Sequence, residues 1–325
     1  MSAPDPVRAQ LHGVAVEIAC DDHGLAGLVA RRLAAFSAPA EAAEIRIEVA
    51  AGGQVDGARP SDVRVVHESP RGAITYSDAL DTVWIDYVGG SARCAATLGE
   101  ATIAYDPRRE SWQWTATRPL LTLTLMELLK RRSLFPVHAA AACRNGAAVL
   151  IAAESGSGKS TTALALLLGG WRLLGDDLLF LREDGPDLRA LGFPDEIDAS
   201  AETIALLPEL APPERWPTLA GYPKRQLQPL LVRDDAVALE AAPRLVLVPH
   251  VADQPGHALE PLGPDELLRE LVPNVLLTDT ALAQRQLDLL ARLGRSAPAF
   301  RLACGRDLEG LGEFVGEALA SAGNA

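Results

Sequence analysis

Positive charge is in short supply in this chain. Across 325 residues, 30 Lys and Arg stand against 43 Asp and Glu, a formal net charge of −13. A surface that acidic argues against nonspecific binding to nucleic acid or to anionic lipid. Cysteine is scarce too: Cys20, Cys94, Cys143 and Cys304 are scattered without paired spacing. That pattern gives no disulfide framework and no zinc motif, and predicts small, reduced, buried residues. Long apolar runs are missing. The leucine-rich run 120–129 is closed by Lys130, Arg131 and Arg132, and a membrane span needs about 20 apolar residues. Residues 1–20 carry Asp5, Arg8 and Glu17 and no apolar core, so no secretory signal is expected there. The expected location is the cytoplasm, with neither membrane nor nucleic acid as partner.

The composition that is present, 48% hydrophobic and 22% charged, is ordinary for a globular protein. Its length accommodates two domains. Residues 1–134 read as a smaller, mostly antiparallel α+β domain, with a possible part in substrate recognition. Segments 14–18 and 45–49 alternate like strands, and Leu25, Leu28, Val29, Leu33 and Phe36 recur at helical spacing. Further strands are predicted at 63–67, 73–76, 82–87, 92–98, 101–105 and 111–115. In the last, Trp112 and Trp114 would share one face, packing rather than offering a substrate platform. A helix over 118–132 leads to a junction near Phe135 and Pro136.

Residues 135–325 read as an α/β domain organised around 149–160. A short apolar strand, 149–152, runs into Glu154, Ser155, Gly156, Ser157, Gly158, Lys159 and Ser160, and a helix is predicted from Thr161 to 168. Strand, glycine loop, Lys-Ser and helix make a phosphate-binding loop. Glycine at 156 and 158 lets backbone N–H groups crowd phosphate oxygens where a Cβ would obstruct. The helix then points its positive end at the anion. Lys159 suits the β and γ phosphates, and the Ser160 hydroxyl suits Mg²⁺. The pattern asks for glycine at 153, where the chain has Ala153, the smallest replacement.

A strand over 137–143 containing His138 precedes the loop, with Asn145-Gly146 as a hairpin turn. After the helix come Gly169, Gly170, Trp171, Arg172, Leu173 and Leu174, then Gly175, Asp176 and Asp177. Two adjacent carboxylates beside an apolar strand are costly to bury without a cation. Neighbours on a straight strand point to opposite faces, so a shared site requires a strand end or turn, and Gly175 permits a bend. Lys224 or Arg225, in Gly221-Tyr222-Pro223-Lys224-Arg225, is the candidate cation over a transferring phosphoryl group; a solvated surface pair is the plain alternative. Strands at 244–251 and 299–303 and helices at 264–271, 281–293 and 308–320 complete the domain.

The order His, phosphate loop, helix, Gly-Gly-Trp-Arg-Leu-Leu, Asp-Asp resembles the kinase domain of the HPr kinase/phosphorylase family. Twenty-one residues separate His138 from Lys159, and eighteen separate Lys159 from Asp177. The resemblance covers about residues 138–177. It implies a P-loop kinase domain of the phosphoenolpyruvate-carboxykinase-like type, with ATP and Mg²⁺ as cofactors. It implies Asp177 as the base for a hydroxyl, Asp176 with Ser160 at the metal, His138 orienting or polarising the site, and a homo-oligomer. Thr161 stands where an acidic residue is common in the regulatory enzymes, and 231–235 does not match their Glu-Val-Arg-Gly-Leu-Gly stretch. The chain looks more like divergent relatives, some of which phosphorylate ribosomally made precursor peptides. The leading expectation is a kinase acting on a Ser or Thr hydroxyl of a protein or peptide. A metabolite-alcohol kinase and a nucleotide-binding regulatory protein without transfer are the alternatives. No Leu-Ser-Gly-Gly-Gln signature supports a transport ATPase.

Overall fold

Alternation of apolar and polar residues decides the first strands. In Ile45–Ala51 the side chains of Ile45, Ile47 and Val49 are buried while Arg46 and Glu48 face solvent, the half-buried pattern of a sheet with one packed face. The computed structural model describes residues 2–37, 42–55, 57–154, 156–305 and 308–322. The chain divides into two units. The first is Met1–Leu134 with Leu219–Tyr222 and Leu276–Ala283; the second is Phe135–Thr218, Pro223–Val275 and Gln284–Ala325.

Among its described residues, the first unit carries an eight-stranded sheet. Its strands are β1 (Val7–Leu11), β2 (Val14–Cys20), β3 (Ile45–Ala51), β4 (Arg64–Ser69), β5 (Gly72–Ser77), β6 (Thr82–Tyr87), β7 (Gly90–Ala95) and β8 (Glu100–Tyr105). Their order is β1-β2-β3-β8-β7-β6-β5-β4. The sheet is antiparallel except where β3 pairs in parallel with β2 and β8. Helix α1 (His23–Arg32) makes the crossover from β2 to β3, capped by the Asp22 carboxylate on the Leu25 N–H.

The strand expected at 111–115 is a helix. Residues 112–130 form one helical run, α2, in which the wide turn Ala116–Leu120 accommodates Pro119. Trp112 and Trp114 therefore do not share a strand face. Trp112 stacks on Tyr105 at 4.8 Å between ring centroids, and Trp114 stacks on Tyr222 at 4.8 Å. Tertiary stacking of this kind leaves no mark in the local period.

Helix α2 also carries a buried ion pair. Lys130 and Glu127 are 1% and 0% exposed and lie 2.5 Å apart. The Lys130 ammonium donates to the Leu276 carbonyl at 2.6 Å and to the Thr278 hydroxyl at 3.2 Å. Thr278 in turn donates to Glu127 at 2.7 Å. Burial pushes the Lys130 pKa down, and the Glu127 carboxylate opposes that shift. This cage ties segment 276–283 to α2, and Tyr76 adds a hydrogen bond to Asp279 at 3.2 Å.

In the second unit a nine-stranded sheet is described. It contains β9 (Phe135–Val137), β10 (Ala140–Arg144), β11 (Ala147–Ile151), β12 (Arg172–Gly175), β13 (Leu179–Asp184), β14 (Asp187–Gly192), β17 (Glu240–Val251), β18 (Ala258–Leu262) and β19 (Ala299–Cys304). β15 (Ile197–Ala199) and β16 (Arg225–Leu227) form a separate antiparallel ribbon. β11 lies between β10 and β17, antiparallel to the first and parallel to the second. β17 then passes to a parallel pairing with β19. Helix α3 (Lys159–Leu168) packs its Ala and Leu residues against these strands, with Ala163, Leu164, Leu166 and Leu167 essentially buried. Each fully buried leucine contributes roughly 1.5–3 kcal/mol. At its end Gly169 meets Gly312, at the start of the helix Leu311–Ala322. A Cβ on Gly169 would lie 3.1 Å from the Gly312 Cα.

The single strand expected over 137–143 is broken at His138. β9 pairs with β13, whereas β10 pairs with β11 and β12. The hairpin turn is as read: Asn145 and Gly146 both have positive φ, 53° and 79°. The helices expected at 264–271, 281–293 and 308–320 run Pro264–Leu271, Thr280–Ser296 and Leu311–Ala322. Among the described residues no helix is long and apolar enough to cross a membrane. All four cysteines are free and buried. Burial pushes the Cys94 thiol up to about 12.

One test follows from the ion-pair cage. Glu127→Ala should destabilise the first unit by about 3–5 kcal/mol, because it strands a buried ammonium, whereas the paired change Glu127→Leu with Lys130→Met should cost far less. Urea unfolding followed by tryptophan fluorescence measures both.

Candidate functional site

β11 delivers the chain into the loop with its last pairing intact, the Ala152 N–H donating to the Leu247 carbonyl at 3.0 Å. Gly156 and Gly158 then take positive φ, 87° and 100°, which a β-carbon would disfavour. Around Gly156 a Cβ would meet nothing within 4 Å, so this part of the backbone is open on its outer side. The first turn of α3 follows directly, so the helix starts at Lys159 rather than Thr161. Ser155 lies outside the described residues.

Lys159 is buried at the mouth of the loop, and burial pushes its pKa down. Its ammonium donates to the carbonyls of Ala153 at 2.6 Å and Glu154 at 3.2 Å. Those carbonyl oxygens occupy the ammonium as phosphate oxygens would. Ser157 closes the loop on itself through the Glu154 carbonyl at 2.6 Å. The Glu154 side chain is exposed. Thr161 faces sideways, its hydroxyl 3.3 Å from that of Thr203, at the helix Ala201–Ala205 that follows β15.

Asp176 and Asp177 lie in the turn between β12 and β13. Gly175 serves close packing rather than an unusual bend: a Cβ there would sit 2.6 Å from the Leu178 carbonyl oxygen and 3.0 Å from that of Phe193. The two carboxylates live in different environments. Asp176 is buried, and its pKa is raised to about 8, first by desolvation and then by Asp177, with the hydrogen bond from Ser160 opposing the rise. Its second oxygen, Oδ1, is buried and has no hydrogen-bond partner. Asp177 is exposed. Its backbone carbonyl accepts from Nδ1 of His138 at 2.8 Å. A carbonyl only accepts, so Nδ1 carries the proton and Nε2 is left toward solvent. The His138 N–H donates to the Asn274 carbonyl at 2.8 Å.

Lys224 and Arg225 part company. Lys224 is exposed and close enough for its charge to depress Lys159, which also feels Asp177 and Asp176. Arg225 donates to the Trp216 carbonyl at 3.1 Å, on the side of β16 that faces the core. The structure thus brings Lys159, Ser160, Asp176, Asp177 and Lys224 into one electrostatic neighbourhood, with His138 bracing the turn. Two residues that sequence reading passed over join them. Asp198, on β15, contributes to the field at Asp176, and Gln226 is its cross-strand partner on β16. A polar residue flanked by apolar neighbours in Ile197-Asp198-Ala199 was the available signal.

A divalent cation would find two donors of the chain here: a hydroxyl and a carboxylate meet at the start of α3, and the carboxylate keeps one oxygen buried and unpartnered. Among the described residues no group of three or more His, Cys, Asp or Glu side chains could hold a metal ion by itself. No family model matches the chain, and no curated protein matches it. Among solved structures it is similar to the Hpr(Ser) kinase/phosphatase from Coxiella burnetii, at 16% identity and a TM-score of 0.33, covering 58% of this chain and 95% of that one. A likeness that loose leaves the chemistry to be argued from the residues themselves.

The buried carboxyl carries a pH signature. Between its ordinary value of 3.8 and about 8 the folded protein holds a proton that the unfolded chain has lost. Stability without ligand should therefore fall as pH rises through that window, by up to about 1.4 kcal/mol per pH unit. Asp176→Asn should flatten the slope in urea midpoints taken from about pH 5 to about pH 8.

Proposed function

We propose that the chain is an ATP- and Mg²⁺-dependent kinase that transfers the γ-phosphoryl group to a Ser or Thr hydroxyl of a protein or peptide. The observation that carries this reading is the Ser160–Asp176 contact, with the unpartnered Asp176 oxygen beside a loop whose lysine is held by carbonyls. A buried carboxylate so placed is costly unless a cation joins it. Ser160 and Asp176 would hold Mg²⁺, which when bound supplies positive charge at the β and γ phosphate oxygens.

The remaining roles belong to the chain. The glycine loop and the start of α3 bind phosphate through backbone N–H groups. Lys159 exchanges the Ala153 and Glu154 carbonyls for phosphate oxygens. Lys224 adds a second positive charge on the open side, where charge builds during transfer. Asp177, exposed and ionisable, accepts the proton of the attacking hydroxyl. The new bond joins that oxygen to phosphorus, the bond from phosphorus to the β-phosphate oxygen breaks, and ADP leaves. Because such transition states are loose, a weakly basic carboxylate suffices. His138 fixes the turn that presents Asp177. The acceptor class rests on the motif resemblance.

The test is incubation with γ-labelled ATP and a panel of peptides, proteins and small alcohols. Label on a Ser or Thr side chain is the expected result; label on small alcohols alone would overturn the protein-kinase reading. Asp177→Asn should keep ATP binding and lower transfer by about 10²–10⁴-fold. Lys224→Ala should lower kcat by about 10²-fold or more. ATP binding unaffected by Lys159→Ala would count against the site as a whole.

A further inference from the structure

The ribbon β15–β16 is buried on both faces, and the faces differ in kind. Ile197, Ala199 and Leu227 enter the main apolar core. The opposite side presents the cross-strand pair Asp198 and Gln226, only 8% and 1% exposed. On a strand, alternate residues must face opposite ways, so the apolar side fixes the direction of the polar one. Asp198, on that side, contributes to the electrostatic field at Asp176. Lys224 immediately precedes β16 and acts on Lys159. The ribbon is also pinned to α3, because the helix after β15 places Thr203 against Thr161.

Gln226 is the anomaly. Both its side-chain oxygen and its nitrogen are buried without a hydrogen-bond partner, although its backbone N–H is satisfied by Pro217 at 2.8 Å. Leaving an amide unmatched in this way is expensive, and a leucine of similar size would avoid the cost. An amide wants a partner that donates to its oxygen and one that accepts from its nitrogen. Water held on a cation donates through its hydrogens, and a carboxylate such as Asp198 accepts.

We propose that Gln226, with Asp198 beside it, positions the water around a divalent cation carried by Ser160 and Asp176, so that the polar face of the ribbon is a wall of the site while its apolar face packs into the core. The inference rests on the phosphoryl-transfer reading and adds two positioning residues to it. The ribbon then joins the cation to Lys224, and one short element sets both positive charges relative to the loop.

The test uses the full chain with Mn²⁺ as the probe, its binding followed by electron paramagnetic resonance with and without ATP. Gln226→Leu should weaken Mn²⁺ binding about tenfold or more, leave metal-free ATP binding unchanged, and raise the thermal midpoint of the unliganded protein. A residue that merely packs would give the reverse, lower stability with Mn²⁺ binding intact, and that result overturns the inference. Asp198→Asn, which keeps shape, should weaken Mn²⁺ binding in the same direction if Gln226→Leu fails to fold; unchanged binding in that variant also overturns it. Wild-type protein that binds no Mn²⁺ with ATP would overturn the phosphoryl-transfer reading itself, which separates the two failures.

Discussion

A carboxylate taken out of water has to be compensated, and in this protein Asp176 is the carboxylate in question. Burial and the neighbouring Asp177 push its proton affinity up, and the Ser160 hydroxyl offsets only part of that. The start of α3 and the turn after β12 meet at this group, through the Ser160 hydrogen bond. The cost is localised where the sheet core would otherwise favour an apolar residue, since Leu173, Leu174, Leu178 and Leu179 surround it in sequence and are buried. Strain kept at one point of an apolar framework is a common way for a fold to hold a ligand site ready.

The framework around that point is built to be rigid. β11 is flanked on both sides by hydrogen-bonded strands, and α3 covers it with side chains that leave almost no exposed surface. At the far end of the helix, Trp171 is buried and donates through Nε1 to the Gly312 carbonyl at 3.1 Å. The Gly169–Gly312 approach lets two backbones touch where a side chain would separate them. Lys159 and Ser160 therefore start a helix that is packed along its length and held at its far end.

Much of this was legible in the residues. Gly156, Gly158, Lys159 and Ser160 announce the loop because their chemistry has few other uses in that order, and the Asn145-Gly146 turn follows from which residues tolerate positive φ. The Asp-Asp turn could be placed at a strand end from the alternation rule once the two aspartates were expected to share a site. What stayed hidden depends on distant partners. The helix at 112–115 looks like a strand until Trp112 finds Tyr105 and Trp114 finds Tyr222. Segment 276–283 meets the first unit through Lys130, Glu127 and Tyr76, all far away in sequence. Asp198 and Gln226 lie on strands of three residues each, too short for any period to show.

The break at His138 gives one residue two tethers. Its backbone N–H is held by the Asn274 carbonyl, and its ring holds the Asp177 carbonyl. The chain changes partners at this point, from β13 on one side to β11 and β12 on the other. The aspartate turn is therefore moored to the seam between two groups of strands and not to either group alone.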